Sequence, residues 1–395
     1  MPRFSTLAVH AGRAPDDSQA VATPLHLSST FHLTEAAYDA VHDPSRLRQV
    51  PFYTRYGNPN QRTVAGKLAR LEGAEDALVF SSGMAAITST LRALLEPGDT
   101  LVVARSLYGG ADSWIDREMP RLRVTVKRVA LEDLQAVRDA LEGAKLFYFE
   151  PVSNPLLEVA DVPALTSLAR AAGVLTVVDN TFLSPANFRP LEHGVDLVLH
   201  SGTKYLNGHT DVVAGLVAGP RALMDRIWSG MMLEGGCLDP HAAWLLERGM
   251  KTLELRMNRH NENGLAVARA LVGHPAVVRV FYPGLAGASG YDIARRLYPG
   301  RAGGMVSLEV RGGETAAARL LERLDREGGP FTVAGSLGGV ESLVSMSART
   351  SHPRREVRER MGIPDGLVRM SLGIEDAQDL IEALIEALEP EMAAQ

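Results

Sequence analysis

The feature that most constrains the fold is a short apolar run followed by two hydroxyl side chains and a lysine. Residues 197–199 are Leu, Val and Leu, and Ser201, Thr203 and Lys204 come soon after them. An apolar run of this kind predicts a buried strand. Ligands of open α/β sheets bind at the carboxyl ends of such strands. The run therefore predicts an α/β sheet with Lys204 at its ligand-binding edge, where the hydroxyl groups are placed to bind a phosphate.

A second apolar run, residues 174–178, ends in an acid, Asp179. An acid at the edge of a buried strand is costly unless a cation pairs with it. The protonated pyridine nitrogen of pyridoxal phosphate is such a cation, and a lysine can hold that cofactor as a Schiff base. An Asp that caps the next helix is the alternative. With Lys204 at a plausible spacing, the pair favours pyridoxal 5'-phosphate as the cofactor.

Two further turns follow predicted strands. Gly83 and Met84 open a predicted helix directly after the run 77–80, and the amino end of a helix binds anions. Tyr108 follows the run 101–104 on a glycine-rich loop, where its ring is placed to stack on a cofactor. An ordinary capped helix and a packed loop tyrosine are the alternatives for these two turns.

Together these motifs resemble the Cys/Met-metabolism family of pyridoxal-phosphate enzymes, from about residue 5 to the last helix. That family includes cystathionine γ-synthase, cystathionine γ- and β-lyases, methionine γ-lyase and the acyl-homoserine sulfhydrylases. The segments that carry the resemblance are 53–59, 82–84, 108–110, 150–155, 178–181, 201–205, 248–253 and 336–339. The resemblance implies an α/β fold of the aspartate aminotransferase-like type (PLP fold type I). Such a fold has a mainly parallel central sheet and a smaller α/β C-terminal domain.

The resemblance also implies how the cofactor is held. Lys204 would carry pyridoxal phosphate as a Schiff base and later move protons, which makes it the main catalytic residue. Asp179 would pair with the pyridine nitrogen, and Tyr108 would stack on the ring and count as a second catalytic residue. The groups implied to hold the phosphate are the backbone of Gly83 and Met84, the hydroxyls of Ser201 and Thr203, and Tyr53 and Arg55 of a neighbouring subunit.

For the substrate, the resemblance implies three binding residues. Arg369 would bind the α-carboxylate, because its planar fork fits a carboxylate with two hydrogen bonds. Ser336 would assist it, and Asn154 would lie near the phenolic oxygen of the cofactor. Because Tyr53 and Arg55 would serve a neighbour, the resemblance implies a homotetramer built of two dimers.

Composition limits the other classes of function. The 395 residues are enough for more than one domain. A net charge of −6 gives no support to binding of nucleic acids or anionic membranes, and no apolar stretch has membrane-spanning length. With a single cysteine and no secretory signal pattern, we expect a cytoplasmic enzyme with a small amino-acid substrate. The histidines His200, His209 and His241 do not form a metal-ligand pattern, so no metal is expected.

The chain divides into three predicted segments. Residues 1–55 form an arm that contacts a neighbouring subunit, residues 56–250 form the cofactor-binding domain, and residues 251–395 form the C-terminal domain. A long helix over about 238–269 is predicted to join the last two. The stretch 377–388 has an apolar face that predicts a final helix.

The predicted reaction is γ-elimination from a sulfur-containing amino acid, as in cystathionine or methionine γ-lyases. The first alternative is γ-replacement on an acylated homoserine. The second is a cofactor-sensing regulatory module without catalysis. Such a module would need an N-terminal DNA-binding segment, and residues 1–55 are too short and too weakly basic to form one. Phe52 and Gly335 stand where cystathionine-handling relatives often have acidic residues, and Gly110 stands where methionine γ-lyases usually have cysteine.

Overall fold

A computed structural model of the protein describes residues 2–13, 18–350 and 354–389, without the side chains of residues 44 and 45. Residues 1 and 14–17 of the predicted arm and residues 351–353 and 390–395 of the predicted C-terminal domain lie outside these ranges. The chain forms two compact units. Unit 1 comprises residues 1–104, 113–150 and 162–254, and unit 2 comprises residues 105–112, 151–161 and 255–395. The division at residues 55 and 250 stays a proposal.

Unit 1 is built on a seven-stranded sheet with the strand order β1-β7-β6-β5-β4-β2-β3. Its strands are β1 (Asp76–Phe80), β2 (Thr100–Ala104), β3 (Thr125–Val129), β4 (Leu146–Phe149), β5 (Leu175–Asp179), β6 (Leu197–Ser201) and β7 (Gly215–Gly219). Only β7 runs antiparallel to its neighbours, β1 and β6. This confirms the predicted α/β fold with a mainly parallel sheet. All four residues of β4 are buried, as expected for a parallel strand covered on both faces.

Helices cover this sheet and form the amino-terminal part of the chain. They are α1 (Phe4–His10), α2 (Glu35–Ala40), α3 (Pro44–Leu47), α4 (Pro59–Glu72), α5 (Gly83–Leu94), α6 (Gly109–Glu118), α7 (Leu134–Leu141), α8 (Val162–Ala171), α9 (Ser184–Asn187), a 3-10 helix (Pro190–His193), α10 (Arg221–Glu234) and α11 (Pro240–Met250). Each crossover returns the chain to the same end of the sheet. As a result, β1, β5 and β6 all deliver their following turns to one edge.

Unit 2 contains a five-stranded sheet with the order β10-β11-β12-β9-β8. Its strands are β8 (Val277–Phe281), β9 (Met305–Val310), β10 (Phe331–Val333), β11 (Ser342–Met346) and β12 (Leu367–Ser371). Its helices are α12 (Leu253–Leu271), which begins in unit 1, α13 (Tyr291–Leu297), α14 (Gly313–Leu324), a second 3-10 helix (Ser347–Arg349), α15 (Arg355–Met361) and α16 (Ala377–Leu388). Every residue of the central strand β12 is buried. The predicted final helix is α16.

The predicted single helix over 238–269 is wrong, because the chain forms α11 and α12 with a turn between them. The amide of Lys251 donates to Arg248 O at 3.3 Å, and the amide of Thr252 donates to Gly249 O at 3.3 Å. These bonds span three residues and tighten the last turn of α11. A Cβ on Gly249 would lie 2.2 Å from Asn207 O, so α11 ends pressed against another loop. No helix in the described part of the chain is long and apolar enough to cross a membrane.

Candidate active site

The carboxyl ends of two neighbouring strands in unit 1 are joined through one hydroxyl group. Asp179 ends β5 and Ser201 ends β6, and the two strands run parallel. Thr181 Oγ1 donates to Asp179 Oδ1 at 2.5 Å and accepts from the Ser201 amide at 2.8 Å. The sequence places Thr181 in the motif after Asp179, but no role was predicted for it. Its hydroxyl fixes the distance between the predicted pyridine-binding acid and the predicted phosphate-binding turn.

The surroundings of Asp179 do not fully stabilise its ionised form. Burial raises the pKa of this carboxyl, and the hydrogen bonds from Thr181, the nearby His200 and a hydrogen bond from Tyr148 lower it less. No helix begins at Asp179, since its Oδ1 accepts from the Thr181 amide at 3.0 Å and α9 starts only at Ser184. The helix-capping alternative is therefore wrong. A cation that pairs with this carboxylate would favour its ionised form.

The predicted phosphate turn lies beside the end of β6. Helix α5 begins at Gly83, and Ser82 caps it by accepting from the Ala85 amide at 3.0 Å. A Cβ on Gly83 would lie 3.0 Å from both Cβ and Oγ of Ser201, tighter than ordinary contact. Glycine thus lets the helix approach this strand end closely. The amides of Gly83 and Met84 belong to the first turn, where no earlier helical carbonyl accepts from them, so they are placed to bind an anion.

The turn after β6 fixes Thr203 and Lys204. The Lys204 amide donates to Ser201 O at 3.2 Å, and Lys204 O accepts from the Gly208 amide at 2.8 Å. Thr203 Oγ1 donates to Ala214 O at 3.3 Å and accepts from the Ala214 amide at 3.0 Å. The backbone that carries Lys204 is therefore held at both ends. We refer to the six predicted residues that unit 1 brings to this sheet edge as the cofactor set: Gly83, Met84, Asp179, Ser201, Thr203 and Lys204.

A buried pair lies behind the cofactor set. His200 Nε2 is 2.6 Å from Glu72 Oε1, and both side chains are almost completely buried. His200 is also one of the groups that lower the pKa of Asp179. From the sequence alone, His200 was a candidate only for metal binding. Among the described residues, no three His, Cys, Asp or Glu side chains form a metal-binding group. The position of His200 in an apolar strand could have indicated that its ring is buried and has a polar partner.

The remaining predicted cofactor residues of unit 1 lie in its amino-terminal part. The guanidinium of Arg55 lies 4.9 Å from the centre of the Tyr56 ring and 5.7 Å from that of Tyr53, and it donates to Met232 O. The Tyr53 side chain is 40% exposed. The structure thus gives Arg55 partners within its own chain. Its reach to a neighbouring subunit stays a prediction.

Unit 2 brings the three predicted substrate residues together. Arg369 lies on β12 and is mostly buried. Its Nη1 donates to Asn154 Oδ1 at 3.0 Å, and its Nη2 donates to Ser336 O at 3.1 Å. Both acceptors are neutral oxygens, so neither offsets the charge of the guanidinium. We refer to these three residues as the carboxylate set, because a fixed, buried guanidinium is suited to bind a carboxylate.

A hydrogen bond from Ser307 and the backbone conformation of Ser336 hold the carboxylate set in place. Ser307, which pairs with Arg369 across β9 and β12, donates from Oγ to Pro155 O at 2.7 Å and so anchors the segment after Asn154. Ser336 has a φ of +88°, a conformation that side-chain-bearing residues rarely adopt. Such strain persists where the surroundings impose it, commonly at functional sites. It turns the Ser336 carbonyl toward Arg369.

Tyr108, the predicted stacking residue, is in the segment of unit 2 that precedes α6. Its carbonyl accepts from the Asp112 amide at 3.0 Å, which starts the helix. The side chain is 43% exposed. Its ring is thus accessible at the surface of the segment, and its stacking role stays a prediction.

Comparison with known proteins identifies the family. The model of the Cys/Met metabolism PLP-dependent enzyme family matches residues 5–389. The chain belongs to this family. It is 40% identical to L-methionine gamma-lyase of Pseudomonas putida over 98% of both chains. It is 42% identical to cystathionine gamma-synthase of Mycobacterium leprae over 98% of this chain and 96% of the relative.

A solved structure supports the same assignment. The fold matches cystathionine gamma synthase of Xanthomonas oryzae pv. oryzae, solved in complex with aminoacrylate and cysteine, with a TM-score of 0.91. The identity is 40%, and the match covers 98% of each chain. The resemblance to PLP fold type I is therefore confirmed, and so is the choice of pyridoxal phosphate as the cofactor.

The residues present in this Cys/Met metabolism enzyme fit that cofactor. The carboxylate of Asp179 would gain from a cation, and a protonated pyridine nitrogen supplies one. The turn at Gly83 leaves a cradle that a side chain would fill, beside the hydroxyl of Ser201. Lys204 follows on the same strand end and provides an amine. Together these groups meet the three requirements of pyridoxal phosphate: a ring acid, a phosphate site and an amine.

Proposed function

We propose that this enzyme catalyses γ-elimination from a sulfur-containing amino acid and releases a thiol. The observation that carries the proposal is the similarity to L-methionine gamma-lyase along nearly the whole chain. The residue types agree with this reaction. The cofactor set offers an amine and an acid for the pyridine nitrogen, and the carboxylate set offers a guanidinium. The regulatory alternative is set aside, because the family consists of enzymes.

The roles of the chain's own residues follow from their chemistry. Bound pyridoxal phosphate supplies an electron sink that makes the substrate Cα–H bond acidic. Lys204 Nζ would hold the cofactor and could accept the substrate Cα proton as a general base. Asp179 would hold a proton at the pyridine nitrogen. Arg369 binds the α-carboxylate with its two Nη groups, and Asn154 and Ser336 fix the plane of that guanidinium.

Gamma-replacement on an acylated homoserine is the second candidate. The similarity to cystathionine gamma-synthases, at 42% identity, favours it. Elimination and replacement share their early steps and differ in whether a thiol or water completes the reaction. The residues of the two sets serve both.

Product analysis tests the two candidates directly. The purified enzyme would be supplied with methionine, homocysteine, cystathionine, O-acetylhomoserine or O-succinylhomoserine, with and without cysteine. Gamma-elimination predicts release of an α-keto acid and ammonia without added thiol. Formation of cystathionine from an acylated homoserine and cysteine, with little keto acid, would establish replacement instead. A Lys204→Ala variant is the blank for both reactions.

The specificity proposal concerns Phe52 and Gly335. With no acid at either position, an amino group at the far end of cystathionine lacks a charged partner there, which costs about 1.5–3 kcal/mol. We therefore propose that cystathionine is not strongly favoured over substrates with a small γ-substituent. The test is kcat/KM across the panel for the wild type, Phe52→Glu and Gly335→Glu. A preference for cystathionine above about a hundredfold that neither variant changes would contradict this proposal.

We also propose that the enzyme is a cytoplasmic homotetramer. Many of its exposed large apolar side chains lie between residues 9 and 53, including Val21 at 88% and Leu27 at 68% exposure, and a second copy would cover them. If Arg55 serves a neighbouring subunit, Arg55→Ala and Lys204→Ala chains are each inactive, but their mixed dimer has one intact site. Recovered activity in verified mixed dimers is the expected result. No recovery would contradict the shared site.

A further inference from the structure

A cavity of about 250 Å³ opens on the surface of unit 1, between helices α4 and α10 and strand β1. None of the residues proposed above to bind the cofactor or the substrate is among those that line it. Trp228 and Met231 give it an apolar wall, and Arg62 projects from α4. Since a water molecule occupies about 30 Å³ of liquid, the cavity has room for a molecule of several heavy atoms.

Arg62 is the charged group that distinguishes this cavity. Its Nη1 is buried and has no hydrogen-bond partner among the described residues. Burial lowers the pKa of Arg62, and no acidic neighbour acts against that effect. A guanidinium withdrawn from water is costly unless an anion pairs with it. No protein group of unit 1 supplies that anion in the described structure.

The other charges around the cavity are already paired with each other. Arg48 and Arg221 also line it, and Asp76 is the single acidic residue in the lining. Asp76 pairs with Arg48 and, at 3.3 Å, with Arg221, while Arg48 Nε also contacts Asp225 Oδ1 at 2.8 Å. Arg48 and Arg221 are therefore matched by the two carboxylates of Asp76 and Asp225, and neither carboxylate contacts Arg62. The surplus positive charge is concentrated at Arg62.

A glycine keeps the approach to Arg62 open. A Cβ on Gly57 would lie 3.5 Å from Arg62 Nη1, so any side chain at that position would occupy the space in front of the guanidinium. The Trp228 indole is fixed by donating from Nε1 to Tyr56 O at 2.8 Å. The cavity thus combines a fixed aromatic wall with a partly exposed arginine whose Nη1 is buried and has no hydrogen-bond partner among the described residues.

We propose that this cavity binds a small organic anion. Its carboxylate or phosphate group pairs with Arg62, and its apolar part packs against Trp228 and Met231. The shared chemistry is an oxyanion of amino-acid size. The surplus charge selects for the anion, and the apolar wall provides contacts for its organic part.

Calorimetric titration of the holoenzyme at constant ionic strength tests this proposal. The two probes are inorganic phosphate and butyrate, which separate a phosphate requirement from a carboxylate requirement. We expect at least one probe to bind at one site per chain, with affinity reduced tenfold or more in Arg62→Met. Arg70→Met, which changes an exposed arginine of the same helix, is the matched control and should bind normally. The cofactor absorbance reports any binding at the predicted substrate residues, which would change it.

The unfolding temperature provides a second test that does not depend on the choice of probe. Without any probe, Arg62→Met should unfold at a higher temperature than the wild type, because a buried unpaired cation is replaced by an apolar chain of similar length. Arg62→Gln, which keeps a polar group, serves if the methionine variant does not fold. Failure of both probes to bind the wild type would overturn the proposal. Equal affinity in a folded, cofactor-loaded Arg62 variant would overturn it as well.

Discussion

The cofactor set of unit 1 and the carboxylate set of unit 2 each centre on a buried charge, but of opposite sign and with different support. Asp179 is held by amide and hydroxyl donors, and burial still raises its pKa. Arg369 donates to two neutral oxygens, Asn154 Oδ1 and Ser336 O. One set is therefore completed by a cation and the other by an anion. We propose that a cofactor with a protonated ring and a substrate with a carboxylate meet these two needs.

The two sets are also assembled differently. The central part of the cofactor set lies at the ends of adjacent parallel strands and in the turn after β6, so the sheet itself aligns it. The carboxylate set joins residues that are 215 and 33 positions apart in the chain, on β12 and two loops. A strand-end set tolerates little backbone change, whereas a loop-supported set depends on the anchors at Ser307 and Ser336. Substitutions in each unit test this difference, and the largest effect is expected at Lys204.

Lys204→Ala gives the largest effect if unit 1 carries the covalent chemistry. Loss of both the attachment and the proton transfer should reduce kcat/KM by about a thousandfold or more. The exposed Lys145→Ala is the control and should keep wild-type activity. Borohydride reduction followed by peptide mass spectrometry locates the attachment. A reduced adduct on a lysine other than Lys204 would refute the assignment.

Acid sensitivity is expected from a buried histidine of unit 2, His260, which lies close to β12. The ring of His260 is hydrogen-bonded to Leu372 O at 2.8 Å, and burial lowers the pKa of His260 to about 4. The unfolded histidine has a pKa near 6.5, so between pH 6.5 and 4 the unfolded state binds a proton that the folded state does not. The free energy of unfolding therefore falls as the pH falls through this range, by up to about 3 kcal/mol.

Urea unfolding followed from pH 7.5 to 4.5 measures this effect. His260→Asn should flatten the pH dependence, since asparagine keeps a donor for Leu372 O but does not titrate. His241→Asn, at an exposed position of unit 1, should leave it unchanged. A His260→Asn curve parallel to that of the wild type would show that this histidine does not cause the acid sensitivity.

Asp179→Asn tests whether unit 1 needs the negative charge or only the shape. Loss of a charged hydrogen-bond partner costs about 1.5–3 kcal/mol, so the affinity for pyridoxal phosphate should fall about tenfold to a hundredfold. Titration of the cofactor into the apoenzyme, followed by absorbance, gives the dissociation constant. Asp139→Asn, on the exposed face of α7, is the control. Unchanged affinity in Asp179→Asn would mean that Asp179 does not stabilise the ring.

What could be predicted from the sequence is what residues adjacent in the chain determine. Strands β5 and β6 and the helix that starts at Gly83 were predictable because apolar runs and their end residues are adjacent in sequence. The grouping of Asn154 with Arg369 was implied only by the resemblance, since spacing does not indicate which loops meet. The pair of Glu72 and His200, 128 positions apart, was missed for that reason. The break between α11 and α12 was missed because it arises from the packing of Gly249 against Asn207, which the helical pattern does not report.

Arg369→Lys should have the smallest effect and is the most specific test of unit 2. Lysine keeps the charge but cannot donate to Asn154 Oδ1 and Ser336 O while it presents two parallel donors to a carboxylate. We expect KM to rise about tenfold with little change in kcat, because binding that is equal in the ground and transition states is lost. Arg349→Lys, at an exposed arginine of unit 2, is the matched control. A fall in kcat with unchanged KM would instead place Arg369 in the chemical step, and the contrast between a chemical set in unit 1 and a binding set in unit 2 would be wrong.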